Sequence, residues 1–385
     1  MRSALISIAG QPPVMLAGKT LAHRQLDFAL ACGCESVIAL GDGGSAEAIG
    51  LRHAAEAAGA RFQAIRDGHG LLGAVRAEDE LLALAPGLLP EAAEAVDLLG
   101  KGKVVLVLPA GAGVAAGFER IDLDRAWAGA LVVGGAQVER LSDLPADIEP
   151  ASALVRIALQ GHVKERRLPD DLIADGSWTV LRDGGATPAV EAGWLKRHLA
   201  AATPWMPTRW LAIQALRPLA ARLLSAARSV EALAAGAAAV LAASVLAAWF
   251  GLAALGFALV PVGAVLAQAA LALTGLRLAP FGRTRGKDFA AFLPWLVDAA
   301  ILACAILAIE GSELHRLFPP LIMLGMLHVM RSADAAGWRA LPSDRSVLAA
   351  LLAVAAAFGL AEPAIMLVAL ALIALNLAKS GASRG

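Results

Sequence analysis

From Ala232 to Leu276 the chain carries no charged residue, 45 positions in a row. One helix needs about 20 apolar residues to cross a bilayer, so this run reads as two helices turning near Trp249-Phe250-Gly251. Further apolar stretches follow at Phe289–Ile309, Leu317–Met330, Ser346–Ala361 and Pro363–Ala378. The sequence therefore predicts an all-α membrane domain of about six transmembrane helices over 231–385. The composition agrees: 58% of the 385 residues are hydrophobic and the mean hydropathy is +0.66, too high for a purely soluble chain.

Charge placement orients these spans. The segment 277–288 carries Arg277, Arg283, Arg285 and Lys287, the segment 331–345 carries Arg331, Arg339 and Arg345, and the tail carries Lys379 and Arg384. The alternate connections hold Glu310, Glu313, Arg316 and Glu362. Basic residues gather on one side at every crossing, which places both chain ends in the cytoplasm. The expectation is a multi-pass protein of the cytoplasmic (inner) membrane, with the lipid bilayer as its first partner. Ahead of the spans, Arg209, Arg217, Arg222 and Arg228 interleave with apolar residues, so 201–230 is expected to be an amphipathic interfacial helix and linker. Positive and negative residues number 33 each, so no global basic field points to nucleic acid.

Residues 1–200 have a different rhythm. Short apolar runs at Ala4–Ile8, Ser36–Leu40, Arg61–Ile65, Leu81–Leu84 and Val104–Leu108 alternate with helical spacing at Leu21–Ala31 and from Ser45 to Ala58. Leu131–Val133 and Trp178–Leu181 are weaker strand candidates. This alternation predicts an α/β, Rossmann-like three-layer domain around a parallel sheet. The apolar start at Ala4–Ile8 is too short for a signal peptide and reads as the first buried strand. Cys32, Cys34 and Cys304 lack the four ligands of a zinc site and read as packing residues in a reducing compartment.

Several stretches carry the residue types of chemistry. Pro109-Ala-Gly-Ala-Gly113-Val-Ala-Ala-Gly117 follows a strand, where glycines can cradle phosphate, but it lacks the Lys-Ser/Thr of a P-loop; close packing is the competing reading. Asp122-Leu123-Asp124 has the spacing of two carboxylates sharing a divalent ion, or of a polar turn. Asp67-Gly68-His69-Gly70 reads as a turn. Asp298 is the acidic residue inside a predicted span; it serves either a metal or substrate, or pairs with Arg277 or Arg283.

On this layout the chain resembles a fusion of a sugar-nucleotide-type nucleotidyltransferase with a CDP-alcohol phosphatidyltransferase. In the soluble part, Gly10 sits in the loop Ala9-Gly10-Gln11-Pro12-Pro13 after the first strand, and Gly18-Lys19-Thr20-Leu21 resembles that family's turn into its next helix. The resemblance implies nucleotide contacts at Gly10, Gly18 and Lys19. In the membrane part, Gln268–Leu278 falls where the first half of the family's aspartate signature should lie, with Thr274 and Arg277 in place of two aspartates. In the second half, Ala290 and Pro294 replace the glycine and the first aspartate, leaving Asp298. The resemblance implies Asp298 as catalytic and metal-binding carboxylate, Gly275 as a point of close approach, and Mg or Mn with CTP or a CDP-alcohol as cofactors if the chain is active. A single carboxylate does not make a two-metal clamp. The expectation is a divergent or inactive relative, a pseudoenzyme of phospholipid head-group metabolism. The alternative is a non-catalytic scaffold or regulatory subunit that holds nucleotide, lipid or an active homologue in a homodimer or heteromer.

Overall fold

Arg2–Ser7 (β1) is the strand around which the first unit is built, because Ser3, Ala4, Leu5 and Ile6 are buried and the strand is paired along both edges. Its sheet adds Ser36–Leu40 (β2), Arg61–Ile65 (β3), Glu80–Leu84 (β4), Val104–Pro109 (β5), Glu119–Arg120 (β6), Arg125–Gly134 (β7) and Glu165–Arg167 (β8). The order across the sheet is β8-β5-β7-β4-β1-β2-β3, with β6 attached to β7. Strands β4, β1, β2 and β3 run parallel, in the register Leu5↔Ile38 and Leu5↔Ala83. β7 is antiparallel to both β4 and β5, so the sheet is mixed rather than wholly parallel.

The computed structural model describes residues 1–9, 13–145, 147–181, 188–199, 202–282, 289–331, 341 and 344–382. They divide into two units, one of 1–198 with 278–285, the other of 199–277 with 286–385.

In the first unit, helices cover both sheet faces. Leu21–Ala31 (α1) is capped by Thr20, whose side chain accepts from His23 N, and Ala46–Ala57 (α2) is capped by Ser45, whose side chain accepts from Ala48 N. Val37 and Ala39 of β2 share a core with Leu51 and Ala55 of α2, while Ile38 and Leu40 join Leu71 and the Leu154 and Ile157 of Pro150–Gln160 (α3). Alternate strand residues thus enter opposite layers, as the pleat requires. The expected Leu131–Val133 strand is the middle of the ten-residue β7. Its sequence shows no alternation because it is buried on both faces, and its pairing with β5 shifts register between Trp127 and Leu131. Trp178–Val180 is a strand outside the main sheet; it pairs with Leu88–Pro90.

The helix Pro188–His198 (α4) is fastened by a buried polar knot. The Arg24 guanidinium lies 4.3 Å over the ring of fully buried Trp194, and its Nη2 donates to Leu16 O at 2.8 Å. Glu91 stands 3.8 Å from Arg24 and accepts from Arg197 at 2.9 Å. The His198 ring stacks on Trp194 with centroids 4.6 Å apart.

The second unit is helical: Pro207–Leu216 (α5), Ala220–Ser225 (α6), Ser229–Trp249 (α7), Ala253–Leu278 (α8), Leu293–Ala308 (α9), Glu313–Arg331 (α10), Arg345–Ala357 (α11) and Ala361–Ala382 (α12). The last six stand where the six spans were expected. Among the described residues three segments, Ser229–Trp249, Ala253–Leu278 and Ala290–Ala308, are long and apolar enough to cross a membrane. The others differ for physical reasons. Helix α11 has 13 residues, which at a rise of about 1.5 Å cover about 20 Å of a hydrocarbon core near 30 Å. Helix α10 contains Pro319-Pro320 and carries Glu313, Arg316 and Arg331. Small residues set the packing of α7 and α8: a Cβ on Gly256 would lie 2.8 Å from Ser244 O and 3.1 Å from Ala248 Cβ. Close backbone approach of this kind is how apolar helices associate where no hydrophobic effect separates them from their surroundings.

Two outcomes follow from this packing. Glu91→Ala leaves the buried Arg24 without its counter-charge and is expected to cost roughly 3–5 kcal/mol, measured as the fall in thermal unfolding of the first unit's tryptophan signal. Gly256→Val drives a side chain into the Ser244 carbonyl and is expected to cost roughly 1–3 kcal/mol, measured by thermal unfolding in detergent beside Gly275→Val, where a Cβ meets nothing within 4 Å.

Candidate functional site

In a sheet ordered β4-β1-β2-β3 the chain leaves β1 toward β2 on one side and returns on the other through β4. The carboxyl ends of β1 and β4 therefore flank a topological switch point, where the connections diverge and leave a crevice. A cleft of about 370 Å³ lies there, inside the range of small-molecule sites.

Each wall comes from a different element. Ser7, Ile8 and Ala9 follow β1, and Ala85, Pro86 and Gly87 follow β4. The first turns of α1 contribute Leu21, Ala22 and Gln25, and the first turn of α2 contributes Glu47. Phe118 and Glu119 close one side with Trp127 of β7, and Glu149 and Ser152 stand at the start of α3. Gln25 fastens the floor: its Nε2 donates to Ala85 O at 3.1 Å and Leu88 O at 2.8 Å, tying α1 to the segment after β4.

The ionisable groups of the cleft are acidic. The Glu119 carboxylate accepts from the Ser152 hydroxyl at 2.7 Å and lies 3.6 Å from Arg156. The Glu149 carboxylate accepts from Ala151 N at 3.2 Å and Ser152 N at 2.6 Å, capping α3. Burial pushes the Glu47 carboxyl above its ordinary value, opposed by a hydrogen bond with Thr20. No Lys or Arg is among the described lining residues.

The residues singled out in the sequence are only partly brought together here. Gly10 lies outside the described residues. Gly18, at φ +78°, and Ala17, at φ +48°, form the two-residue turn between Met15–Leu16 and Lys19–Thr20, a conformation that favours glycine. Lys19 pairs with Asp27 at 2.6 Å, and neither Gly18 nor Lys19 lines the cleft. In Pro109–Gly117, Ala110–Ala115 is a six-residue helix, a Cβ on Gly113 would lie 2.7 Å from Ala126 Cβ, and Gly117 lines the cleft. Asp122 accepts from Asp124 N at 3.0 Å and Arg125 N at 2.8 Å and ion-pairs with the Arg125 side chain, which makes the pair a turn. Asp67 closes its turn by accepting from Gly70 N at 3.1 Å.

In the second unit, Asp298 is buried on α9 and bound by Arg345, Nε to Oδ1 at 2.9 Å and Nη2 to Oδ2 at 3.3 Å. His328 stands 3.8 Å from the same carboxylate. Asp298 is thus paired with a different arginine from the two expected: Arg277 donates instead to Ala226 O at 2.7 Å, Ala227 O at 3.0 Å and Ser229 Oγ at 3.0 Å, and Arg283 lies outside the described residues. Thr274 Oγ1 donates back to Ala270 O at 2.9 Å, and Gly275 faces open space. Next to Arg345, buried Asp344 caps α11 and accepts from Thr208 N at 3.0 Å, joining α5 to α11.

Sequence reasoning missed the three cleft glutamates. Glu149 had a local signal, since it directly precedes Pro150 at the first turn of a helix. Glu47 and Glu119 had none; they meet only through sheet order.

No protein-family model and no curated protein sequence matches the chain. Among solved structures, the chain is similar to one assigned as a glucose-1-phosphate thymidylyltransferase from Bacillus anthracis in complex with a sucrose, at 12% identity and a TM-score of 0.37, over 52% of this chain and 97% of that one. It is also similar to a UDP-glucose pyrophosphorylase from Acinetobacter baumanii, at 11% identity and a TM-score of 0.33, over 44% of this chain and 86% of that one.

The raised Glu47 carboxyl gives a pH signature. Its charged form is penalised in the folded chain, so the penalty is present above the folded-state value and absent below the ordinary 4.5, where folded and unfolded chains both hold the proton. Glu47→Gln is expected to unfold at higher temperature than the unmodified protein at neutral pH, and the gain is expected to vanish in acid, as read by paired melting curves across pH.

Proposed function

We propose that this chain is a multi-pass protein of the cytoplasmic membrane, built on the plan of a nucleotidyltransferase joined to a CDP-alcohol phosphotransferase, that binds a ligand without turning it over. The observation that carries this is the Asp298–Arg345 ion pair. The carboxylate that the family resemblance makes catalytic and metal-binding has both oxygens held by a guanidinium.

The neighbouring positions point the same way. The places of two signature aspartates are taken by Thr274, bonded to its own helix, and Arg277, bonded to the carbonyls before α7. A divalent cation needs several hard oxygen ligands, carboxylates above all, and a fixed arginine among them opposes it. These residues do not fit Mg or Mn. In the first unit, the switch-point cleft lacks basic side chains among its described residues, so CTP would lose the cations that neutralise a triphosphate.

Membrane insertion is supported by the three long apolar helices and by their unburied apolar side chains, such as Leu246, Trp249, Phe250, Leu255 and Val262. The further α10, α11 and α12 are read as shorter or tilted crossings, with Leu321, Leu351, Val354, Leu367 and Leu370 also exposed for lipid. The basic segments at 277–288 and 331–345 and the basic tail support a reading with both chain ends in the cytoplasm. Such a protein serves as a scaffold or regulatory subunit, with a second copy or an active homologue as partner.

The test is turnover in liposomes reconstituted with the full-length protein. With CTP and a phospho-alcohol, or with a CDP-alcohol and acceptor lipid, and with Mg or Mn supplied, the expected result is no pyrophosphate or CMP release above protein-free liposomes. Metal-dependent release of either product overturns the reading.

A further inference from the structure

Between Leu199 and Val230 the chain carries Arg209, Arg217, Arg222 and Arg228 and no Asp or Glu. In place of one amphipathic helix, this stretch holds two short ones, α5 and α6. They part at Arg217-Pro218-Leu219, because Pro218 has no N–H to continue the first.

The inner face of α5 is fastened to the second unit. Thr208, Ala212, Ile213 and Leu216 recur at helical spacing and are buried, and Ala212 and Leu216 share a cluster with Ala269 of α8. Asp344 caps two helices at once: it accepts from Thr208 N at 3.0 Å at the start of α5 and from Ser346 N at 2.9 Å at the start of α11. The corner between α6 and α7 is held by Arg277, which donates to the Ala226 and Ala227 carbonyls. With one face committed to α8 and α11, the other has a fixed direction.

That outer face combines two kinds of side chain. Trp205, Met206, Leu211 and Leu219 are large, apolar and exposed, and Arg217, Arg222 and Arg228 are exposed with them. None of the four arginines of this stretch forms an ion pair with a described residue. The other arginines of the unit whose side chains are described are engaged: Arg277 at the corner, Arg316 with Ile306 O at 3.2 Å and Arg345 with Asp298. The chain thus supplies no counter-ion for these cations and no cover for the apolar groups beside them.

The surroundings select the occupant. Ala269, on which α5 packs, lies within a helix long and apolar enough to cross a membrane, and α7, another such helix, begins at Ser229, just after α6 ends at Ser225. A surface in that place meets lipid. Rings and methyl groups enter the acyl boundary while guanidiniums reach back to the phosphates. A zwitterionic headgroup answers its phosphate with its own cation. An anionic headgroup leaves the phosphate for arginine, and the attraction grows with each basic residue near the surface.

We propose that the outer face of α5 and α6 is a binding surface for anionic phospholipid, with Arg217, Arg222 and Arg228 taking headgroup phosphates and Trp205, Leu211 and Leu219 entering the acyl boundary. This rests on the multi-pass reading of the chain and adds which lipid the protein selects. It also makes the docking of α5 on α8 and α11 responsive to the charge of the leaflet.

The measurement is lipid binding and thermal unfolding of the full-length protein, delipidated in nonionic detergent and titrated with phosphatidylglycerol, phosphatidylcholine or inorganic phosphate. Phosphatidylglycerol is expected to bind saturably and about tenfold or more tighter than phosphatidylcholine, with a preference that shrinks as salt is raised. The triple variant Arg217→Gln, Arg222→Gln, Arg228→Gln changes exposed, unpaired positions. It is expected to keep the unmodified melting temperature in phosphatidylcholine and to lose the preference. Should that variant not fold, Arg222→Gln alone is expected to weaken phosphatidylglycerol binding about fivefold. Equal binding of the two lipids overturns the proposal. So does a preference left unchanged by these substitutions, which would assign it to the basic segments at 277–288 and 331–345, or inorganic phosphate displacing the lipid at equal concentration. Resistance of liposome-bound protein to carbonate extraction tests the multi-pass reading separately: a protein that resists extraction without preferring anionic lipid loses this proposal alone, whereas one that is extracted loses that reading.

Discussion

The pairing of β1 with β4 is the constraint on which the first unit depends. Ser3, Ala4 and Leu5 lie in parallel register with Leu81, Leu82 and Ala83, which brings the ends of two strands almost eighty residues apart in the chain side by side. The crevice beyond those ends, the convergence of three helix N-termini and the antiparallel seat of β7 on β4 all follow from that adjacency. Gln25 then holds the floor in place by bonding two carbonyls of the segment after β4. A buried amide that leaves such carbonyls unpaired costs about 1–3 kcal/mol for each lost partner, so the floor is stiff.

A second theme runs through both units: carboxylates that sequence alone offers for chemistry are spent on structure. Asp122 closes a turn and holds Arg125, Glu149 caps a helix, Asp344 caps another and binds Thr208, and Asp298 is paired with Arg345. Each engagement satisfies a buried or partly buried polar group that would otherwise be costly. The price is availability, since an oxygen bonded to a fixed guanidinium or to a helix terminus is a poor metal ligand.

The helical unit obeys a different economy. Apart from Asp298, which is buried within α9, the charged residues of its long apolar helices lie near their ends, and its interior is rich in Ala, Gly, Leu and Val, with Gly256 letting one helix approach another's backbone. Uniform apolarity makes such helices easy to place and hard to orient from sequence, because there is no polar face to define a side. Length and apolarity together were the better discriminator: six helices stand where six apolar stretches were seen, and among the described residues three segments are both long and apolar enough for a full span.

The sequence by itself determined the two-part organisation of the chain, the position of most elements and their caps. Leu21–Ala31, Ser36–Leu40 and Arg61–Ile65 have the bounds expected from periodicity, and Ser45 caps the helix that it was expected to start. These signals are local: spacing of apolar residues, a hydroxyl before a helix, a glycine after one. Only the tertiary structure decided the rest. It set β7 antiparallel in the middle of the sheet, chose Arg345 over Arg277 for Asp298, and assembled Glu47, Glu119 and Glu149 around one cleft. Strand order and ion-pair choice depend on which distant segments pack together, and no local pattern of residues encodes that choice.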